Sequence, residues 1–286
     1  MAQAKDDLGV NMAERESMKV DCLRSISRVR TLLLWGLIGS GLFLSGCATS
    51  RPTQRVMPNV RPATALTVNL PMSTGSGMRD VYHVVGPYEG LWRIATIYGK
   101  DVGSIMRDNN ITDPSKVKKG QRLLIRNTYG PRPNIPLFPT TRWTHIVIHH
   151  TATDVGSALD IDSMHLKKGW ENGMGYDFLI DNGTGGKMLG QIEVGPRWLK
   201  QMDGAHTKQG DWNKKAIGIA VVGNYSEENL PTSMMDNLVF LVATLKNFYQ
   251  IPDRNIVGHR DVPGAATECP GKFFPWNEFK RRLRMY

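Results

Sequence analysis

The sequence predicts an α/β protein in two parts: a C-terminal domain with a central mixed β-sheet flanked by helices, and ahead of it a small strand–helix–helix–strand module. Three observations carry this. "HIVIHH" (145–150) reads as a buried strand ending in two histidines, and "AIGIAVVG" (216–223) as a strand with apolar residues on both faces. Near the C-terminus, Leu238, Val239, Leu241, Val242, Leu245 and Phe248 recur at helical spacing, with Ser233 expected as the N-cap and Asp236 three residues on. Strands and helices alternate through this half of the chain, so a sheet covered by helices is the economical architecture.

The N-terminus comes first in order. Arg24, Arg28 and Arg30 precede the apolar run "TLLLWGLIGSGLFLSGC", the charged-then-apolar order of a secretory signal. Its apolar core is shorter than the roughly 20 residues of a membrane-spanning helix. Leu44, Ser45, Gly46 and Cys47 resemble the lipobox of bacterial lipoproteins. That resemblance implies a signal peptide over 1–46, cleavage before Cys47, lipidation of Cys47 and a membrane anchor through the N-terminal lipid. Ala48, which is not an aspartate, then implies the outer membrane of a two-membrane cell, facing the periplasm. Cys22 would be discarded, and the long leading segment leaves open whether translation starts at Met1 or at Met18.

Residues 47–79, rich in Pro, Thr, Ser, Gly and Arg, are expected to be a flexible linker. Residues 80–127 follow the order strand, helix, helix, strand, with Leu91, Ile94, Ala95 and Tyr98 at helical spacing and "RLLI" closing the segment. Through Tyr82, Val84, "LWRIA", Asn109-Asn110 and Gly120-Gln121 this stretch resembles a LysM domain, which implies binding of N-acetylglucosamine-containing glycan. Tyr88-Glu89-Gly90 replaces the family's usual Gly-Asp/Glu-Thr step, and His83 is read as packing. Such a module would concentrate substrate by tethering, with no contact between domains required. A Pro-rich connector spans 128–139, and the sheet domain spans 140–286, with Ser157 to Lys168 a helix and "YDFLID" and "KMLGQIEV" strands.

The chain of 286 residues has 36 Lys plus Arg against 26 Asp plus Glu, a net charge of +10 that suits an anionic polymer or surface. No zinc-finger spacing, RNA-binding sheet motif or helix-turn-helix accompanies the basic residues, so no nucleic-acid partner is expected. Three scattered cysteines do not make a disulfide framework.

"GHRDVPGAATECPG" places His259 and Cys269 in one Gly- and Pro-rich loop. Imidazole and thiolate both suit zinc, and a third ligand could come from His149 or His150 at the end of a strand, of which alternation allows only one. A buried cysteine is more often a small hydrophobe and a strand histidine a satisfied core residue, so spacing alone does not decide.

"IVIHHTA", "MGYDFLID", "GAHT", "NKKAIGIAVVGNY" and "GHRDVPGAATECPG", in this order, resemble the type 2 zinc N-acetylmuramoyl-L-alanine amidases, a family that includes phage amidase-type lysozymes and animal peptidoglycan recognition proteins. The resemblance implies one Zn2+ per chain on His149, His259 and Cys269, catalytic assistance from Tyr176 and Thr267, and a cleft histidine, His206, available for substrate contact. It further implies hydrolysis of the amide between N-acetylmuramic acid and the L-Ala of the stem peptide, with peptidoglycan as partner and turnover of the cell wall, daughter-cell separation or recycling as setting. The alternative class is a noncatalytic peptidoglycan-binding or anchoring lipoprotein. Ala220 stands where the anhydromuramyl branch has a glutamate, and the loop from His259 to Cys269 is two residues longer than usual around Gly264 to Ala266, an insertion expected to bulge outward. His145, His150 and His165 are read as packing or surface residues, and Asp261 as an orienting group or a partner of Arg260.

Overall fold

The computed structural model describes Leu66–Asn69 and residues 77–286; the expected signal, Cys22, Cys47 and most of the predicted linker lie outside the described residues. Among the described residues no helix is long and apolar enough to cross a membrane.

In the N-terminal module, β2 (Arg79–Val84) pairs antiparallel with β3 (Arg122–Thr128), and α1 (Leu91–Tyr98) and α2 (Val102–Asp108) lie between them in sequence. Leu91, Ile94, Ala95, Ile105, Leu123 and Ile125 form its small core. Asp101 caps α2 by accepting from the Ser104 N–H at 2.9 Å. The Asn109 side chain both accepts from the Leu124 N–H and donates to the Leu124 carbonyl, closing the outer edge of β3. Glu89 turns inward, its Oε2 2.9 Å from His83 Nε2 and accepting from the Gly86 N–H at 2.8 Å. His83 therefore does more than pack, since it joins Glu89 to the Tyr98 hydroxyl.

Two strands fall where the sequence suggested only linker and connector. Residues Leu66–Asn69 form β1, antiparallel to β4 (Asn134–Leu137), whose Ile135 and Leu137 are buried in the main core. The pairing supplies main-chain partners that Pro- and Thr-rich flanks give no local hint of.

The C-terminal domain is built on a five-stranded mixed sheet in the order β7-β6-β8-β5-β9. The strands are β5 (His145–His150), β6 (Phe178–Asn182), β7 (Leu189–Val194), β8 (Ala216–Val221) and β9 (Ile256–Gly258). All neighbours are parallel except β6 with β7. Helix α3 (Ala158–Lys167) covers one face, packing Ala158 and Ile161 with Leu179 and Ala220. Its N-cap is Ser157, the residue at which the sequence began the helix. Helices α4 (Thr232–Tyr249) and α5 (Trp276–Leu283) cover the other, with Leu238, Leu241, Leu245 and Phe279 against Ile146, Ile148, Phe178, Ile217 and Ile219. The N-cap of α4 is Pro231, not Ser233, because the chain is extended at Pro231 and already helical from Thr232, which puts Ser233 inside the first turn.

The two domains touch, although tethering alone would not require it. Lys187 is buried and donates to the Val84 carbonyl while pairing with Glu193 Oε2 at 2.6 Å. Lys119 Nζ lies 2.8 Å from Asp162 Oδ2, Arg93 donates to the Asn134 carbonyl at 3.0 Å, and the Lys200 ammonium sits 4.5 Å from the Tyr88 ring centroid. Burial and the Glu193 charge both push the carboxyl of Asp181, fully buried beside Glu193, well above its usual range.

Candidate metal centre

Period-two alternation divides β8 into two sets. Ile217, Ile219 and Val221 join the main core, while Ala216, Gly218 and Ala220 face the side of the sheet that carries His149. Such small side chains leave room for imidazoles. A Cβ at Gly218 would stand 2.3 Å from His206 Cδ2, so the close approach of that ring requires glycine.

Register brings the ligand candidates together. Ile148 on β5 pairs with Gly258 on β9, so His149 and His259 leave adjacent parallel strands side by side, ring centroids 4.7 Å apart. This is the carboxyl end of parallel strands, where open α/β sheets place their sites. Cys269 is drawn back to the same place by two backbone ties: its carbonyl accepts from the Arg260 N–H at 2.8 Å, and its Sγ lies 3.4 Å from the His150 N–H. Asp261 Oδ2 accepts from the Gly258 N–H at 2.9 Å, which fixes the backbone just before His259 and leaves Arg260 a distant 3.9 Å partner. The loop between His259 and Cys269 turns outward: Pro263, Gly264 and Ala266 are exposed, Ala265 closes a turn onto Val262, and Gln209 holds the Gly264 carbonyl.

Among the described residues His149, His259 and Cys269 form a group of potential ligands, with ligand atoms all within 4.8 Å of one another. Two imidazoles and a thiolate are a zinc-type donor set, and tetrahedral zinc spaces such atoms about 3.5 Å apart. His149 Nδ1 and Cys269 Sγ are 3.7 Å apart, so the residues fit that ion.

A chain of hydrogen bonds settles which nitrogen of His149 faces the group. His206 Nε2 lies 3.2 Å from the Ala216 carbonyl, which only accepts, so the His206 proton sits on Nε2 and Nδ1 is an acceptor. His149 Nε2, 3.0 Å from His206 Nδ1, must therefore carry its own proton, leaving Nδ1 as a lone pair aimed toward Cys269. Burial pushes His206 down to about 4 and His149 well below its usual range, with His206 and His259 adding to the effect on His149, so both rings are neutral. Burial pushes the Cys269 thiol up to about 12. Burial also raises the Tyr176 phenol, with the Cys269 charge next in size, so Tyr176 is a proton-bearing donor; its ring lies 5.2 Å from that of His149.

The family model described as N-acetylmuramoyl-L-alanine amidase matches residues 139–272, and the LysM domain model matches residues 83–126. Peptidoglycan-recognition protein SC2 of Drosophila simulans is 34% identical over 147 residues, covering 48% of this chain and 72% of that protein. The chain belongs to the family of N-acetylmuramoyl-L-alanine amidases and peptidoglycan-recognition proteins. Peptidoglycan-recognition protein LB of Drosophila melanogaster is 32% identical over 164 residues, covering 52% of this chain and 64% of that one. Among solved structures, the endolysin amidase LysCS from Clostridium intestinale is similar at 36% identity, covering 50% of this chain and 84% of that chain, with a TM-score of 0.42.

In the amidase domain, the expected residues fall into two groups. His149, His259, Cys269 and Tyr176 gather at one place. Thr267 is exposed, and its hydroxyl accepts from the Cys269 N–H at 3.1 Å, an orienting contact. His206 differs from expectation: it is buried with both ring nitrogens occupied, so it supports His149 and has no free nitrogen for substrate. His150 turns away and accepts from the Tyr225 N–H, and His145 packs edge-on against Trp212. His165 is buried and accepts from the Gly175 N–H at 3.0 Å, one residue before Tyr176. Sequence reasoning passed over Asp162 and the supporting role of His165. The signal for both was their i, i+3 placement on one helix.

Proposed function

We propose that this protein is a zinc-dependent N-acetylmuramoyl-L-alanine amidase that cleaves the amide between the lactyl group of N-acetylmuramic acid and the L-Ala of the stem peptide. The observation that carries it is the convergence of His149, at the end of β5, with His259 and Cys269, at either end of one C-terminal loop, and with Tyr176 beside them. Zinc held by His149, His259 and Cys269 would supply Lewis acidity there, activating water and polarising a carbonyl at neutral pH.

The chain's own residues do the rest. His206 fixes the His149 proton on Nε2 so that Nδ1 can coordinate. Thr267 pins the backbone of Cys269 and, being neutral, supplies no charge. Tyr176, kept protonated, donates to the oxygen that gains charge as the amide carbonyl becomes tetrahedral. Ala220, level with His149 across β8, places no carboxylate there, so that strand offers no general base. The LysM domain supports recognition of the glycan part of the same polymer. The signal-like segment ending at Cys47 supports export and lipid anchoring at the outer membrane, facing the periplasm.

Purified sacculi treated with the full chain, with zinc and after chelation, test this reading. The expected product, identified by mass, is stem peptide free of muramic acid, lost on chelation and restored by zinc. His149→Ala should lower release by about 10³-fold or more, the loss of several kcal/mol of transition-state stabilisation. Binding without release by zinc-loaded protein would favour the noncatalytic anchoring alternative.

A further inference from the structure

The LysM domain meets the amidase domain at one element in particular, and that element leads to Tyr176. Helix α3 is gripped at both its first and second turns. At the first, Glu193 Oε1 accepts from the Ala158 N–H at 2.6 Å, while its Oε2 pairs with the buried Lys187, whose ammonium also donates to the LysM carbonyl of Val84. One turn further on, Asp162 is buried and takes Lys119 Nζ of the LysM domain at 2.8 Å. The other oxygen of Asp162 accepts from the Met174 N–H at 2.9 Å, and three residues along the same helix His165 accepts from the Gly175 N–H at 3.0 Å. These two bonds hold consecutive amides of the segment that delivers Tyr176. The fit there is close: Gly173 has φ +65°, and a Cβ at that position would lie 1.9 Å from Asp162 Oδ1.

We propose that Lys119 of the LysM domain is a positioning residue for the amidase site, neutralising Asp162 so that this carboxylate holds the Gly173–Gly175 segment and sets Tyr176 beside the metal ligands. The LysM domain is then a fixed part of the catalytic architecture as well as a glycan contact. A buried carboxylate that loses its cation is uncompensated, and it either drops the Met174 amide or rearranges toward water. The proposal rests on the amidase reading for its catalytic consequence, but the holding of the segment does not depend on it.

The test compares the full-length wild type with Lys119→Met and Lys119→Arg, each loaded with zinc. Amide hydrogen exchange is followed across 170–176, and turnover is measured on a small soluble muropeptide, so that binding of long glycan plays no part. In Lys119→Met the Met174 and Gly175 amides should exchange about tenfold faster, with the sheet strands unchanged. Its kcat should fall by roughly tenfold at constant KM and constant zinc content, as expected for a misplaced donor. Lys119→Arg, which keeps the cation, should restore both. Unchanged exchange at 170–176, or exchange that rises equally through the whole sheet, would overturn the proposal. So would a Lys119→Met protein that loses activity only on intact sacculi. A zinc-loaded wild type that releases no peptide would overturn the amidase reading instead, and the exchange data would still decide whether Lys119 holds the segment.

Discussion

Ile217, Ile219 and Val221 on β8 lie fully buried against α4 and α5, whereas Ala216, Gly218 and Ala220, alternating with them, lie on the face that carries His206 and His149. One face spends volume on packing and the other withholds it. The first stabilises the domain, and the second leaves space for two neutral imidazoles whose tautomers are set by a backbone carbonyl. Stability and chemistry thus share a strand but not its residues, and substitutions on the two faces should fail in different ways.

The largest effect is expected on the packed face. Ile219→Ala should destabilise the domain by about 2–5 kcal/mol in urea unfolding, through lost burial and the cavity left behind. Protein that remains folded should still bind one zinc. Loss of the metal from folded protein would show that the two faces are not independent.

Next comes the open face. Gly218→Ala adds a single methyl at 2.3 Å from His206 Cδ2, so His206 must move and release His149 Nε2. Competition with a chelator should then show metal affinity about 10–100-fold weaker, the usual cost of losing a supporting partner. Unaltered affinity would mean that His206 does not govern the His149 tautomer.

The third effect is spread over pH and concerns a carboxyl of the same face. Asp177 is fully buried, one oxygen accepts from the Gly218 N–H and the other has no partner, and burial pushes its pKa up to about 7. Its folded pKa exceeds its ordinary one, so its contribution is fully present below about pH 4 and is lost as pH rises through 7. Asp177→Asn, neutral throughout, should therefore gain on wild type by about 1.4 kcal/mol for each pH unit between about pH 4 and pH 7, about 4 kcal/mol in all. A melting-temperature series over that range checks it, and a constant difference between the two proteins would show that Asp177 does not titrate there.

This contrast explains what could be read from sequence. Apolar runs and helical stripes are local, so the sheet domain and the strand–helix–helix–strand module were legible, and the five ordered motifs pointed to the ligand set. The choice of His149 over His150 follows from alternation only once the register with Gly258 places His259 alongside. The task of His206 depends on Gly218 and Ala216, ten or more residues away, and a motif reading that put it at substrate missed that both nitrogens are occupied. The pairing of Leu66–Asn69 with Asn134–Leu137, and the Lys119 contact with Asp162, join segments distant in the chain whose composition carries no trace of the partner.

X-ray absorption at the zinc edge of the zinc-loaded full chain tests the central claim most directly. The account predicts one sulfur at about 2.3 Å and nitrogen or oxygen ligands at about 2.0–2.1 Å, with the sulfur shell abolished in Cys269→Ser. Zinc bound without a sulfur shell, or a shell that survives Cys269→Ser, would contradict it.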